Sequence, residues 1–276
     1  MGYNSVYTAS EVNALDNRPV GIFDSGMGGL SVLKTAMVLL PGEDYVYFGD
    51  DGNAPYGTKP PERIVELAMG CARFLVERNV KAIVVACNTA TSAAISVIRE
   101  RMKLPVISME PAVKPAIEQS GGGRILMMAT PVTCGLSRYK KLLSRVDVNR
   151  QVENIPAPGL VELIEAGKTG AELDEHLAGL LSKYEGETID GIVLGCTHYM
   201  FIRENIERYA KEHFLGERRI FDGNAGTVRQ LIRVLSENGL LADRKQGAVS
   251  LNTSGDASRI IPAFERMLKD YSPVIP

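Results

Sequence analysis

The stretch Val80-Lys-Ala-Ile-Val-Val-Ala-Cys87-Asn88-Thr89-Ala-Thr-Ser-Ala-Ala94 decides how the rest of the chain is read. Ala82 to Ala86 is an apolar run too short for a helix, so it predicts a strand covered on both faces. Asn88, Thr89 and Ser92 then offer N-cap groups ahead of an alanine-rich helix. Cys87 therefore stands at the carboxyl end of a buried strand. In open α/β sheets ligands bind at that edge, and a helix N-terminus favours the thiolate of a cysteine beside it.

A second stretch, Asp190-Gly-Ile-Val-Leu-Gly-Cys196-Thr197-His198-Tyr199, repeats the plan of apolar run, cysteine and hydroxyl residue. The commoner fate of a free cysteine is burial as a small apolar side chain. Cys71 takes that reading, because it lies on the stripe Ile64, Leu67, Ala68, Phe74 and Leu75 of a helix predicted over 60–77. Cys134, past a turn, takes it too. Cys87 and Cys196 read differently, since each leaves its strand into polar residues able to hold a charged ligand.

Other strand ends carry related signals. Val20-Gly-Ile-Phe23 runs into Asp24-Ser25-Gly26-Met27-Gly28-Gly29 before a helix begins at Leu30. Such glycines let backbone amides approach an anion closely, but the spacing is not that of a dinucleotide turn. Asp24 is either an N-cap or a charged group facing a substrate ammonium or a thiol. The strand 125–129 stops at Thr130-Pro131-Val132-Thr133, which makes Thr130 and Thr133 candidate anion donors. Glu162 and Glu165, three apart, fall on one helix face.

The alternation of strands and helices predicts parallel sheets with helices on both faces. The chain has 276 residues, and 31 Lys plus Arg against 33 Asp plus Glu leave a formal charge of -2, which gives no basic footprint for nucleic acid or a membrane surface. The first residues lack a signal-peptide pattern, and no apolar run is long enough to span a bilayer. The expected location is the cytoplasm, where thiols stay reduced. Residues 1–18 are expected to form an extension outside the core. Without C-x-x-C spacing no zinc cluster is expected, and no motif for pyridoxal phosphate, metal or nucleotide implies a cofactor.

Taken together, Gly21-Ile-Phe-Asp24-Ser25-Gly26-Met-Gly-Gly-Leu, Tyr47-Phe-Gly-Asp50, Pro55-Tyr56-Gly57, Ala86-Cys87-Asn88-Thr89-Ala90 and Gly195-Cys196-Thr197-His198-Tyr199 resemble the cofactor-independent glutamate racemases of the aspartate/glutamate racemase superfamily. The motifs occur in that family's order, and the match covers essentially everything after Pro19. The resemblance implies two doubly wound α/β domains with pseudo-twofold symmetry, expected at 19–112 plus 220–276 and at 113–219. The substrate, glutamate, would lie between them, and a homodimer is compatible with the family.

It also implies roles. The residue matching Cys87 deprotonates the D-enantiomer and that matching Cys196 the L-enantiomer, with Asp24 and Glu165 as the family carboxylates and His198 assisting Cys196. Substrate contacts would come from Asp24, Ser25, Tyr56, Gly57, Asn88, Thr89, Thr197 and His198. Met200, Glu162 and Val132 depart from the family's usual proline, proline and glycine, which bears on pocket shape rather than on reaction class. Three rivals have distinct signatures. An aspartate racemase would share the thiols, a cysteine hydrolase would leave one thiol idle, and a binding paralogue would turn over nothing.

Overall fold

The computed structural model describes residues 16–275. Its strands are β1 (Val20–Asp24), β2 (Tyr45–Gly49), β3 (Ala82–Val85), β4 (Val106–Ser108), β5 (Arg124–Ala129), β6 (Val152–Pro156), β7 (Ile189–Leu194), β8 (Arg219–Asp222) and β9 (Val249–Thr253). All pair in parallel, in two sheets ordered β4-β3-β1-β2-β9 and β6-β5-β7-β8. The expected two-domain parallel architecture is thus what the chain adopts.

Alternation along each strand explains why these segments read as continuous apolar runs. Ile83 and Val85 pack with the helices Pro61–Glu77 and Asn88–Arg101, whereas Ala82, Val84 and Ala86 face a second core shared with the helices Leu30–Leu39 and Asn224–Glu237. In the other sheet, Leu126 and Met128 join one core while Ile125, Met127 and Ala129 join the opposite one. Each sheet therefore has helices on both faces.

The two sheets share a plan. Strands β1 to β4 lie in the order 4-3-1-2 and strands β5 to β8 in the order 8-7-5-6, with β9 added at the first sheet's edge by the returning chain. Two connections join the halves, one after β4 and one after β8. They pack against each other closely, because a Cβ on Gly223 would lie 2.9 Å from the Glu110 carbonyl oxygen.

Several boundaries differ from expectation. Strand β8 pairs with β7 from Gly191↔Arg219 to Leu194↔Asp222, so the return to the first domain begins after Asp222 and not at 220. Residues 197–202 form a 3-10 turn ahead of the helix Arg203–His213. Of the extension expected over 1–18, residues 1–15 lie outside the described residues. Asp16 and Asn17 are tied down, their carbonyls accepting from Lys81 Nζ at 2.6 Å and Arg244 Nη2 at 2.7 Å.

Candidate active site

In each sheet the chain passes from its first strand to a neighbour on one side and then crosses to the other. The switch points fall between β1 and β3 and between β5 and β7, and ligand crevices open outside the carboxyl ends at such points. Those ends deliver Asp24, Cys87, Thr130 and Cys196. Each of the two cysteines stands two residues beyond the third strand of its half.

Glycines bring the halves into contact there. A Cβ on Gly28 would sit 2.4 Å from Thr197 Oγ1 and 2.5 Å from His198 Nδ1, and one on Gly57 would sit 2.9 Å from Thr130 Cβ. Neither position has room for a side chain. Between these contacts Ser25, Tyr56, Asn88, Val161 and both thiols enclose a cavity of about 10 Å³, roughly the room for one water. As it stands the cavity is too small for a ligand larger than water. A much larger cavity of about 890 Å³ lies between the two connections, beside Glu110, Pro111, Asp222 and Gly223. It contains neither thiol, so its size does not mark the chemistry.

Cys87 caps the helix Asn88–Arg101, its sulfur accepting from the Ala90 amide at 3.3 Å and lying 3.6 Å from Ser25 Oγ. Burial, and next the Asp24 carboxylate, push this thiol up to about 12, with the Ala90 and Ser25 contacts pulling the other way. Asp24 is fully buried and accepts from the Gly26 amide at 3.1 Å and from Thr197 Oγ1 at 3.4 Å. Burial raises its pKa, while His198 and the turn amides oppose the rise.

Cys196 has a different escort. Its Sγ lies 3.8 Å from His198 Nδ1, and His198 Nε2 lies 2.9 Å from Glu165 Oε1. Burial disfavours a charged imidazole here. The contacts with Cys196 and Glu165 nevertheless outweigh it and hold the His198 pKa well above the ordinary histidine value. The helix Leu160–Glu165 starts from Gly159, at φ 77°, and brings Glu165 to the cleft while Glu162 stays exposed.

The hydroxyls of Thr89, Thr130 and Thr133 form a closed triangle with edges of 3.0, 3.1 and 2.9 Å. Thr89 comes from the first half and the other two from the second. Thr130 reaches the cavity, whereas Thr133 is fully buried behind it. Asn88 lines the cavity, and its Oδ1 has no hydrogen-bond partner among the described residues, so a polar ligand would complete it. The Tyr56 hydroxyl turns away, donating to Asp50 Oδ2 at 2.6 Å with Cys71 Sγ at 3.6 Å, which leaves its ring and the adjoining backbone at the cavity.

Pro55 and Val161 also line the cavity wall, and the Tyr47 hydroxyl donates to the Gly26 carbonyl at 2.6 Å and pins the turn after β1; Val161 carries no signal in the sequence that marks it for the site. Tyr47 and Asp50 belong to the motif Tyr47-Phe-Gly-Asp50, but only packing shows that one holds the first turn and the other the Tyr56 hydroxyl. Met200 is buried in the second half's core, and Val132 packs onto the core of the first half across the cleft. No group of His, Cys, Asp and Glu suited to a metal occurs among the described residues, and none of their helices is long and apolar enough to cross a membrane.

Two doubly wound halves, each delivering a thiol to one shared cleft, define a two-domain α/β protein. Residues 31–231 match the Asp/Glu/hydantoin racemase family. The glutamate racemase of Clostridium botulinum (strain Hall) is 44% identical over 250 residues, covering 90% of this chain and 96% of that one. Among solved structures, a glutamate racemase isoform from Bacillus anthracis superposes with a TM-score of 0.81 at 29% identity, over 95% of this chain and 97% of that one. The glutamate racemase of Francisella tularensis in complex with D-glutamate gives 0.80 at 30% identity over the same shares. The chain belongs to the Asp/Glu/hydantoin racemase family.

Proposed function

We propose that this protein interconverts L- and D-glutamate without a cofactor, Cys87 and Cys196 acting on opposite faces of Cα. The observation that carries the reading is the cleft itself, where one thiol from each half meets a shared cavity between hydroxyl and backbone donors. The 44% identity to a glutamate racemase supports glutamate as the substrate rather than aspartate.

In the L-to-D direction the Cys196 thiolate takes the α-proton, and the Cα–H electron pair stays on carbon. The Cys87 thiol then donates its proton to the other face. The product leaves the two sulfurs with their protonation exchanged, and proton exchange with solvent resets them. In the reverse direction the thiols swap roles. His198, held by Glu165, takes the Cys196 proton before catalysis, while Cys87 relies on the helix N-terminus and the Ala90 amide.

Asp24, Ser25, Asn88, Thr89, Thr197 and the Tyr56–Gly57 backbone would hold the ammonium and carboxylates, with Thr130 and Thr133 at the second half's edge. The two domains of this reading are the two sheets with their helices, and the reaction belongs in the cytoplasm, where D-glutamate enters peptidoglycan precursors. The test is circular dichroism of D-glutamate with purified protein, EDTA and no pyridoxal phosphate, expected to decay to zero as the racemate forms. Run in D2O, newly formed product should carry deuterium at Cα while unreacted substrate does not. A protein inert until a metal or pyridoxal phosphate is supplied would sink the reading.

A further inference from the structure

The Cys196–His198–Glu165 chain does not end at Glu165. Glu165 Oε1 lies 3.0 Å from the point where a Cβ on Gly26 would stand, and Asp51 Oδ1 lies 3.5 Å from the same point. Two carboxylates, one from each half, thus converge over a single glycine at the cleft. Asp51 also folds back over the end of β2, since a Cβ on Gly49 would lie 2.6 Å from its Oδ2. That oxygen accepts from Thr253 Oγ1 at 2.9 Å, at the end of β9. The carboxylate is therefore aimed toward the first turn and held there by the returning chain.

We propose that Asp51 is a positioning residue for the proton of the Cys196–His198 pair, acting through Glu165 from the opposite side of the cleft. This rests on the reading of Cys196 as the base for the L-enantiomer. Moving the proton from Cys196 Sγ to His198 Nδ1 carries positive charge toward Glu165 and Asp51 and leaves the thiolate at the far end. An ionised Asp51 favours that transfer, and a neutral side chain at 51 favours it less. Cys87, capped by a backbone amide with no imidazole between, has no such lever.

The groups facing Asp51 come from every neighbouring element. They are Asp24 at the end of β1, Tyr47 on β2, Asp50 beside it, Glu165 on the helix Leu160–Glu165 and Thr253 on β9, with His198 beyond Glu165. Burial first, then the Glu165 and Asp24 charges, push Asp51 up to about 6, against the Thr253 hydroxyl. Below about pH 6 it takes up a proton, so its support for the transfer is present above that pH and lost below it.

Racemisation cannot isolate the effect, because the equilibrium constant between enantiomers is unity and kcat/KM must match in both directions. One-way elimination can. With a glutamate analogue bearing chloride on Cβ, the base takes the α-proton, Cα=Cβ forms and chloride leaves with its bonding pair, so only the abstracting thiol is read. The experiment compares Asp51→Asn with the parent in the Cys87→Ser variant acting on the L-analogue, and in the Cys196→Ser variant acting on the D-analogue, from pH 5 to 8.5. Asn retains an acceptor for Thr253, and Thr253→Val serves as the variant that loses the anchor but keeps the charge.

At pH 7.5 the expected result is about tenfold slower L-elimination, the size of one pKa unit, and disappearance of the inflection near pH 6. D-elimination should stay within about twofold, and Thr253→Val should keep the inflection. Equal losses with both enantiomers, or an inflection that survives Asp51→Asn, overturn the role of Asp51 while leaving the two-thiol reading intact. Failure of Cys87→Ser itself to eliminate from the L-analogue overturns both.

Discussion

The two halves of this molecule share one strand plan and equip their thiols differently. After β3 the chain enters a 14-residue helix, Asn88–Arg101, and Cys87 uses that helix's first amides. After β7 it enters a six-residue 3-10 turn, Thr197–Ile202, whose cap carries no side-chain hydrogen bond, and Cys196 instead meets a histidine backed by a carboxylate. Repetition of a fold therefore does not repeat electrostatics. A backbone amide is fixed and never titrates, whereas an imidazole can take the proton itself. One thiol is capped by a backbone amide and the other faces an imidazole.

The sharpest way to break this comparison is to remove one sulfur. Cys87→Ser or Cys196→Ser should lower racemisation in both directions by about 10²–10⁴-fold, followed by circular dichroism. Cys196→Ser should still eliminate chloride from the D-analogue through Cys87, and Cys87→Ser from the L-analogue through Cys196. If both variants lost elimination equally with both enantiomers, one thiol per face would be wrong.

Next in size is His198→Asn, which takes the proton acceptor from one half only. L-elimination in the Cys87→Ser background should fall about 10²-fold, with D-elimination in the Cys196→Ser background changing by a few-fold at most. Comparable losses on both sides would mean that His198 serves the cleft as a whole.

The pH profiles sharpen the contrast further. Cys87 has been pushed up to about 12, so between about pH 6.5 and 8.5 its thiolate fraction, and with it D-elimination in Cys196→Ser, should climb about tenfold per unit. L-elimination in Cys87→Ser should climb less steeply, because proton transfer to His198 needs no loss of a proton to solvent. Stopped assays at four pH values decide it, and equal slopes would erase the distinction.

The smallest expected effect concerns the contact between the halves. Gly28→Ala places a methyl 2.4 Å from Thr197 Oγ1, beside the His198 ring, so closure must shift the segment behind Cys196. A misplacement of this order should cost about tenfold in kcat/KM. Thermal unfolding measured alongside should show a modest drop, and unaltered kcat/KM would mean that the domains close without this contact.

Much was legible in the residues. The strand 82–85 with its two-sided burial, the thiols at strand ends, the glycine turn after Phe23 and the repeated plan all follow from short apolar runs meeting polar helix starts, which are local signals. The alternation of strand and helix fixes parallel, double-wound sheets for the same reason. Other features depended on partners far along the chain. Arg219–Asp222 reads as a strand wherever it lies, and only pairing with β7 assigns it to the second sheet. By helical spacing alone Glu162 and Glu165 look equivalent, and only the resemblance separates them; the start of their helix at Gly159 turns one to water and the other to His198. The Tyr56 hydroxyl went to Asp50 and not to the cavity, and the Asp51 and Glu165 carboxylates converged on Gly26 from opposite halves, because hydrogen bonds and charges act through space between residues that periodicity cannot connect. The sequence by itself determined that two thiols stand just beyond strand ends, each followed by polar residues, because short apolar runs and the groups after them are local signals. The tertiary structure decided which of them share a cleft and how each thiol is supported, since those depend on how the two sheets dock.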